Sequence, residues 1–100
     1  MLTYILNEQG EPVPCPDVLE WGAWFGDNDN RRLKRDEVGN VLVSTVFLGL
    51  DHSHGMDGPP VLWETMIFGS PAHNDYQERY CTREEALAGH AEALKLVLAR

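Results

Sequence analysis

The sequence predicts a single α+β domain over residues 1–100, built on an antiparallel sheet of about four to five strands in a meander. Two helices, at about 17–26 and 83–99, are expected to pack on one face of that sheet. Three observations lead there. Runs of β-forming residues follow one another between Leu33 and Cys81, with turn residues between them. The links between these runs are short, which favours antiparallel neighbours over the long crossovers that parallel pairs require. A capped, amphipathic segment stands on either side of the strand region.

"TYIL" at Thr3–Leu6 reads as a short strand, and "NEQG" after it supplies turn chemistry. "EPVPCP" holds three prolines, which lack the donors of a central strand, so it is an edge segment or an extended connection. Asp17 caps a first helix, with Glu20 three residues later. Val18, Trp21, Gly22 and Phe25 share one face of that helix, Leu19 and Ala23 widen it, and Trp24 points elsewhere. "GDNDN" at Gly26–Asn30 ends the helix.

Leu33–Val38 reads as an outer strand, joined through Gly39–Asn40 to Val41–Leu50 in a tight hairpin. Val41–Leu50 is apolar on both sides and is therefore expected at the centre of the sheet. Val61–Gly69 and Tyr76–Cys81 supply the remaining strands. The last helix opens with the capping box Thr82…Glu85 and places Leu87, Ala91, Leu94 and Leu98 on one stripe. Gly89 costs that helix about 1 kcal/mol relative to alanine, and suits a close approach to the sheet.

Sixteen acidic residues against eight basic ones give a net charge of −8. That disfavours attraction to nucleic acid and to anionic membranes, which are themselves polyanions. An acidic surface facing a basic protein remains compatible with it. No apolar run approaches the roughly 18 residues of a membrane helix, and no signal-peptide pattern opens the chain. Cys15 and Cys81 are too few for a disulfide scaffold and read as structural thiols, although the two could still meet in space. A cytoplasmic location follows as the expectation.

The loop "DHSHGMD" offers the metal candidates. His52 and His54 in an H-x-H pattern can turn two imidazoles toward one ion, with Asp51 and Asp57 as nearby carboxylates. His73 is expected at the other end of the Val61–Gly69 strand, too far to join them. No catalytic residue and no cofactor is expected. Cys81 and His90 are separated by more than a helical turn, and no elbow motif frames Ser53. His90 reads as a hydrogen-bonded histidine bordering the core. Glu64 interrupts an apolar strand, so it either faces water or finds a partner such as Arg79.

"RRLKR" at Arg31–Arg35 holds half of the basic residues. A charged outer strand guards against edge-to-edge aggregation, and the same residues could meet phosphate or an acidic partner. The interface candidates are Trp24, Arg31 and Arg35.

The phrases "VSTVFLGLDH", "ETMIFG" and "RYCTREEALAGH" resemble small uncharacterised proteins encoded by phages and prophages. The resemblance spans Val43–His90 and carries no diagnostic catalytic motif. It implies a phage or prophage origin and a bacterial cytoplasmic location, and it transfers no functional residue. The expected function is non-enzymatic binding, to a host protein or to a second copy of the chain. The alternative is a metal-binding protein or small hydrolase using the Asp51/His52/His54/Asp57 loop.

Overall fold

The computed structural model describes residues 2–55 and 57–99. Their order is β1 (Tyr4–Leu6), β2 (Pro12–Pro14), α1 (Val18–Phe25), α2 (Asn28–Arg31), β3 (Arg32–Val38), β4 (Val41–Phe47), β5 (Trp63–Phe68), β6 (Gln77–Tyr80) and α3 (Arg83–Leu98). Strands β3, β4, β5 and β6 form the expected antiparallel meander in sequence order; Gly39–Asn40 turns β3 into β4, and the longer segment 48–62 joins β4 to β5. β1 does not join it. It pairs with β2 in a separate ribbon, so "EPVPCP" is an edge strand. Tyr4 N–H donates to the Gly49 carbonyl, which ties the ribbon to the end of the main hairpin.

Both predicted helices lie over the same side of the meander. α3 crosses all four strands, while α1 reaches the sheet through Trp24, whose ring meets Phe47 edge-on at 5.8 Å. The Asp17 carboxylate caps α1 by accepting from Leu19 and Glu20 N–H. α1 docks by its C-terminal half. Trp21, Trp24 and Phe25 are half-buried, whereas Val18 and Leu19 are 70% and 86% exposed. The expected Val18–Phe25 stripe is therefore corrected. The Trp21 indole donates to the Gly49 carbonyl (3.1 Å), and this bond together with the Trp24–Phe47 contact sets the rotation of the helix. "GDNDN" is also more than a stop, because Asp27 caps a further helical turn, α2.

The inner face is organised around a polar layer. Phe47, Leu62, Trp63 and Ala86 form one apolar cluster, and Val43, Ile67 and Ala93 form a second. Thr45, Thr65 and His90 occupy the level between them, all fully buried. His90 Nε2–H donates to Asp36 Oδ2 (2.7 Å), and Nδ1 shares a 2.7 Å hydrogen bond with the Thr45 hydroxyl. Thr45 and Thr65 share another, of 2.6 Å. One chain of hydrogen bonds thus links α3 to β3, β4 and β5. A buried polar group is tolerable when it is satisfied in this way.

The buried residues of α3 are Ala86, His90 and Ala93, with half-buried Val97 and Leu94 packed beside them; of the predicted stripe Leu87, Ala91, Leu94 and Leu98, Ala91 and Leu98 are exposed. The spacing is unchanged. The helix is rotated by one residue, about 100°. Small residues bring its axis close to the strands, and Gly89 is the tightest point. A Cβ there would overlap the Tyr80 hydroxyl.

Two outcomes follow for stability. His90→Ala leaves Asp36 and Thr45 without their partner and opens a cavity, so it should cost about 2–4 kcal/mol in denaturant unfolding. Gly89→Ala gains about 1 kcal/mol of helix propensity. It should still lower the unfolding midpoint, because the tyrosine ring has to move.

Candidate functional site

Among the described residues, α1 and α3 leave the outer face of the meander uncovered, and only α2 reaches its β3 edge, through Asn28 and Arg31. The side chains of that face fall in three rows across the strands, set by the pairing register. The first is Arg32, Val46, Glu64 and Arg79. The second is Arg35, Ser44, Met66 and Gln77, and the third is Glu37, Leu42 and Phe68. Neighbouring strands are about 4.8 Å apart, so each row is a line of touching side chains. Phe68 is 46% exposed, and Leu42, Val46 and Met66 are half-buried. Together they form an apolar lane across a face that usually turns polar groups to water.

Arginine borders this lane for a local reason. Arg32 and Arg35 are an odd number of residues apart, so a regular strand would point them to opposite faces. A register shift between Arg32 and Lys34 adds one residue to β3 and places both opposite outer-face residues, Val46 and Ser44. The same irregularity sends Leu33 inward to the Phe47 cluster. Arg31, at the end of α2, is positioned by three contacts. Its guanidinium lies 4.1 Å over the Phe25 ring, Nε donates to the Phe25 carbonyl, and Nη2 donates to Asn28 Oδ1.

The result is a shallow cleft of about 190 Å³, walled by Arg31, Arg32, Arg35 and Asn28 and floored by Leu42, Ser44 and Val46. Arg32 meets Asp29 and Arg35 meets Glu37, each at 3.2 Å. Both pairs are well solvated and therefore weak.

Glu64 sits at the middle of the first row. It is only 8% exposed although α1 and α3 leave its face uncovered, because its neighbours close over it. Oε2 accepts from Arg79 Nε and from Gln77 Nε2, both at 2.9 Å. Of the two alternatives in the sequence reading, the Arg79 partner is the one formed; Glu64 stands on the outer face but is buried there and does not face water.

The Asp51 loop is built differently from a metal site. Asp51 Oδ1 accepts from Ser53 and Val61 N–H, and Oδ2 accepts from the Ser53 hydroxyl. Those two amides hold the Asp51 carboxyl below its ordinary range. His52 Nδ1 donates to the Leu50 carbonyl, and His54 adopts a left-handed conformation with φ of 56°. The two imidazoles stand perpendicular with centroids 6.2 Å apart. Among the described residues, no three His, Cys, Asp or Glu side chains gather as a metal would need. The expected set of Asp51, His52, His54 and Asp57 is thus not assembled. Asp51 is turned into the loop, where it closes the long hairpin.

Cys15 and Cys81 are separate free thiols. Burial pushes both above the ordinary value, reinforced at Cys81 by the Glu85 and Asp51 carboxylates. Neither is an activated nucleophile. Burial also raises the Tyr80 phenol. Thr65 lies near enough to oppose that rise in part, yet the Tyr80 oxygen forms no good hydrogen bond. Trp24, expected at an interface, is half-buried, with its ring edge-on to Phe47. Arg31 and Arg35 do reach one surface, together with Arg32. Sequence reasoning missed Leu42, Met66 and Phe68 as its companions. Their alternation with inward residues was visible, but which face the helices would cover was not.

No family model matches the chain, and no curated protein or solved structure matches it. Among the described residues, no helix is long and apolar enough to cross a membrane.

Two measurements test this loop chemistry. A carboxyl depressed on folding stabilises the folded loop above its unfolded value of about 3.9, and that stabilisation is lost as pH falls through the folded value. The protection of the Ser53 and Val61 amides, taken relative to their intrinsic exchange rate at each pH, should therefore fall in acid, and Asp51→Asn should produce the same loosening at neutral pH. Cys81 should be alkylated at neutral pH more slowly than an unhindered model thiol; an equal rate contradicts the raised thiol.

Proposed function

We propose that this chain is a protein-binding module and that the uncovered outer face of its meander is the binding surface. The observation that carries this reading is the apolar lane of Leu42, Val46, Met66 and Phe68 on a face that α1 and α3 leave uncovered. Contiguous apolar surface of this kind is costly in water and marks interaction sites. The partner is a protein segment that offers apolar side chains to the lane. A catalytic reading has less support, since the thiols are depleted of thiolate and the Asp51 carboxylate is occupied within its own loop. The phage or prophage origin implied by the resemblance would make that partner a protein of the bacterial host.

Phe68 is the residue to test. A photoreactive phenylalanine analogue at position 68 should yield discrete protein adducts in the producing cell. The same analogue at Ala88, on the solvent side of α3, should not. Adducts at 68 should fall when Leu42→Ser is added, while the unfolding midpoint stays close to that of the parent. Equal labelling from both positions, or none from position 68, rejects the outer face as the surface.

A further inference from the structure

We infer that the partner of the outer face is an acidic protein segment and that the cleft between Arg31, Arg32 and Arg35 takes one of its carboxylates. This rests on the reading of the outer face as a binding surface and names the chemistry it selects. The chain carries a net charge of −8 and only eight basic residues, yet four of those eight, Arg31, Arg32, Arg35 and Arg79, stand on this face. The acids beside them are Asp29, Glu37 and Glu64, three against four arginines, and Arg79 already neutralises Glu64. The outer face is thus locally basic on an acidic molecule, and charge complementarity selects a partner of negative sign.

The cleft is suited to a carboxylate. A guanidinium has five N–H donors in a planar fork. Arg32 and Arg35 each spend only one contact on a solvated acid, so donors remain to face a ligand. Arg31 is held in place by Phe25 and Asn28 and needs little ordering when it binds. The floor of Leu42 and Val46 accommodates the methylenes of a glutamate, and the same two residues continue into the lane toward Met66 and Phe68. An extended segment with its carboxylate in the cleft would therefore lay apolar side chains on the lane. Nucleic acid fits less well. Phe68 is the one aromatic residue in the three rows, so there is no stacking platform for successive bases. A second copy laid face to face would set one arginine cluster near another.

The test uses the full chain, isotope-labelled, with three probes. The first is a short soluble peptide carrying glutamate and leucine in a serine background. The second is its counterpart with glutamine for glutamate, and the third is short oligothymidylate. The acidic peptide should shift the amides of Ser44, Val46 and Met66. Its affinity should drop about ten- to a hundredfold in the glutamine counterpart and in the Arg32→Ala/Arg35→Ala variant, as expected for a lost charge-assisted hydrogen bond.

Binding of both peptides to the lane with equal affinity, unchanged in the arginine variant, overturns the carboxylate site but leaves the binding surface standing. Acidic-peptide binding that is unaffected by Phe68→Ser overturns the reading of the lane as the binding surface. Tighter binding of oligothymidylate overturns the inference in favour of phosphate. Self-association through these residues overturns it in favour of a second copy, and the absence of shifts with every probe rejects it outright.

Discussion

The position of α3 depends on His90. This side chain is fully buried between two apolar clusters and bonded at both ring nitrogens, to Asp36 and to Thr45. Buried imidazole without those partners would oppose folding. With them it specifies geometry, because Nδ1 and Nε2 must meet groups on two particular strands at once. An α3 packed only through leucines could slide along the sheet or rotate on it at small cost. The polar layer removes that freedom, and the small residues Ala86, Gly89 and Ala93 then follow as a steric requirement of the close approach.

Because α3 and α1 share the inner face, the outer face has to be stable without a cover. Its solution is a cross-strand ladder. Glu64 receives Arg79 and Gln77, and the methylenes of these side chains shelter the carboxylate and part of the lane. Toward β3 the ladder is incomplete. Arg32 and Arg35 have only solvated acids as partners, and Phe68 ends the third row with nearly half of its surface in water. A face that needed only solubility would be served by charges on its edge strands alone. Here arginines with weak partners adjoin a hydrophobic lane, and that combination is what distinguishes the surface from a protected sheet edge.

Much of the architecture was legible in residue pattern. Gly39–Asn40 marked a tight hairpin, Thr82 and Glu85 marked the start of α3, and the succession of strand-like runs without a helix between them marked the meander. What pattern could not show was rotation. Leu87, Leu94 and Leu98 outweigh Ala86 and Ala93 on any hydrophobicity scale, yet His90 and the need for small residues turn the helix the other way. The placement of Arg32 was hidden for a related reason. Alternation assigns it to the face opposite Arg35, and one extra residue near Leu33 reverses that assignment. No composition signal announces such an irregularity. The fate of Asp51 was hidden too, since its partners are backbone amides at Ser53 and Val61, which carry no side-chain signature.

The same chemistry that looks reactive in sequence is structural when placed. Asp36, His90 and Thr45 are joined in the order carboxylate, imidazole, hydroxyl, which is the connectivity of a nucleophilic triad. Connectivity alone does not make a nucleophile. The Thr45 hydroxyl has no solvent exposure, is also bonded to Thr65, and lies beneath a helix fixed by the very imidazole that would have to act as base. Substrate could reach it only if α3 lifted, and lifting α3 breaks the chain of hydrogen bonds that orients His90. Reactivity and access therefore exclude one another at this site, and the outer face is where the molecule combines accessible apolar surface with accessible charge.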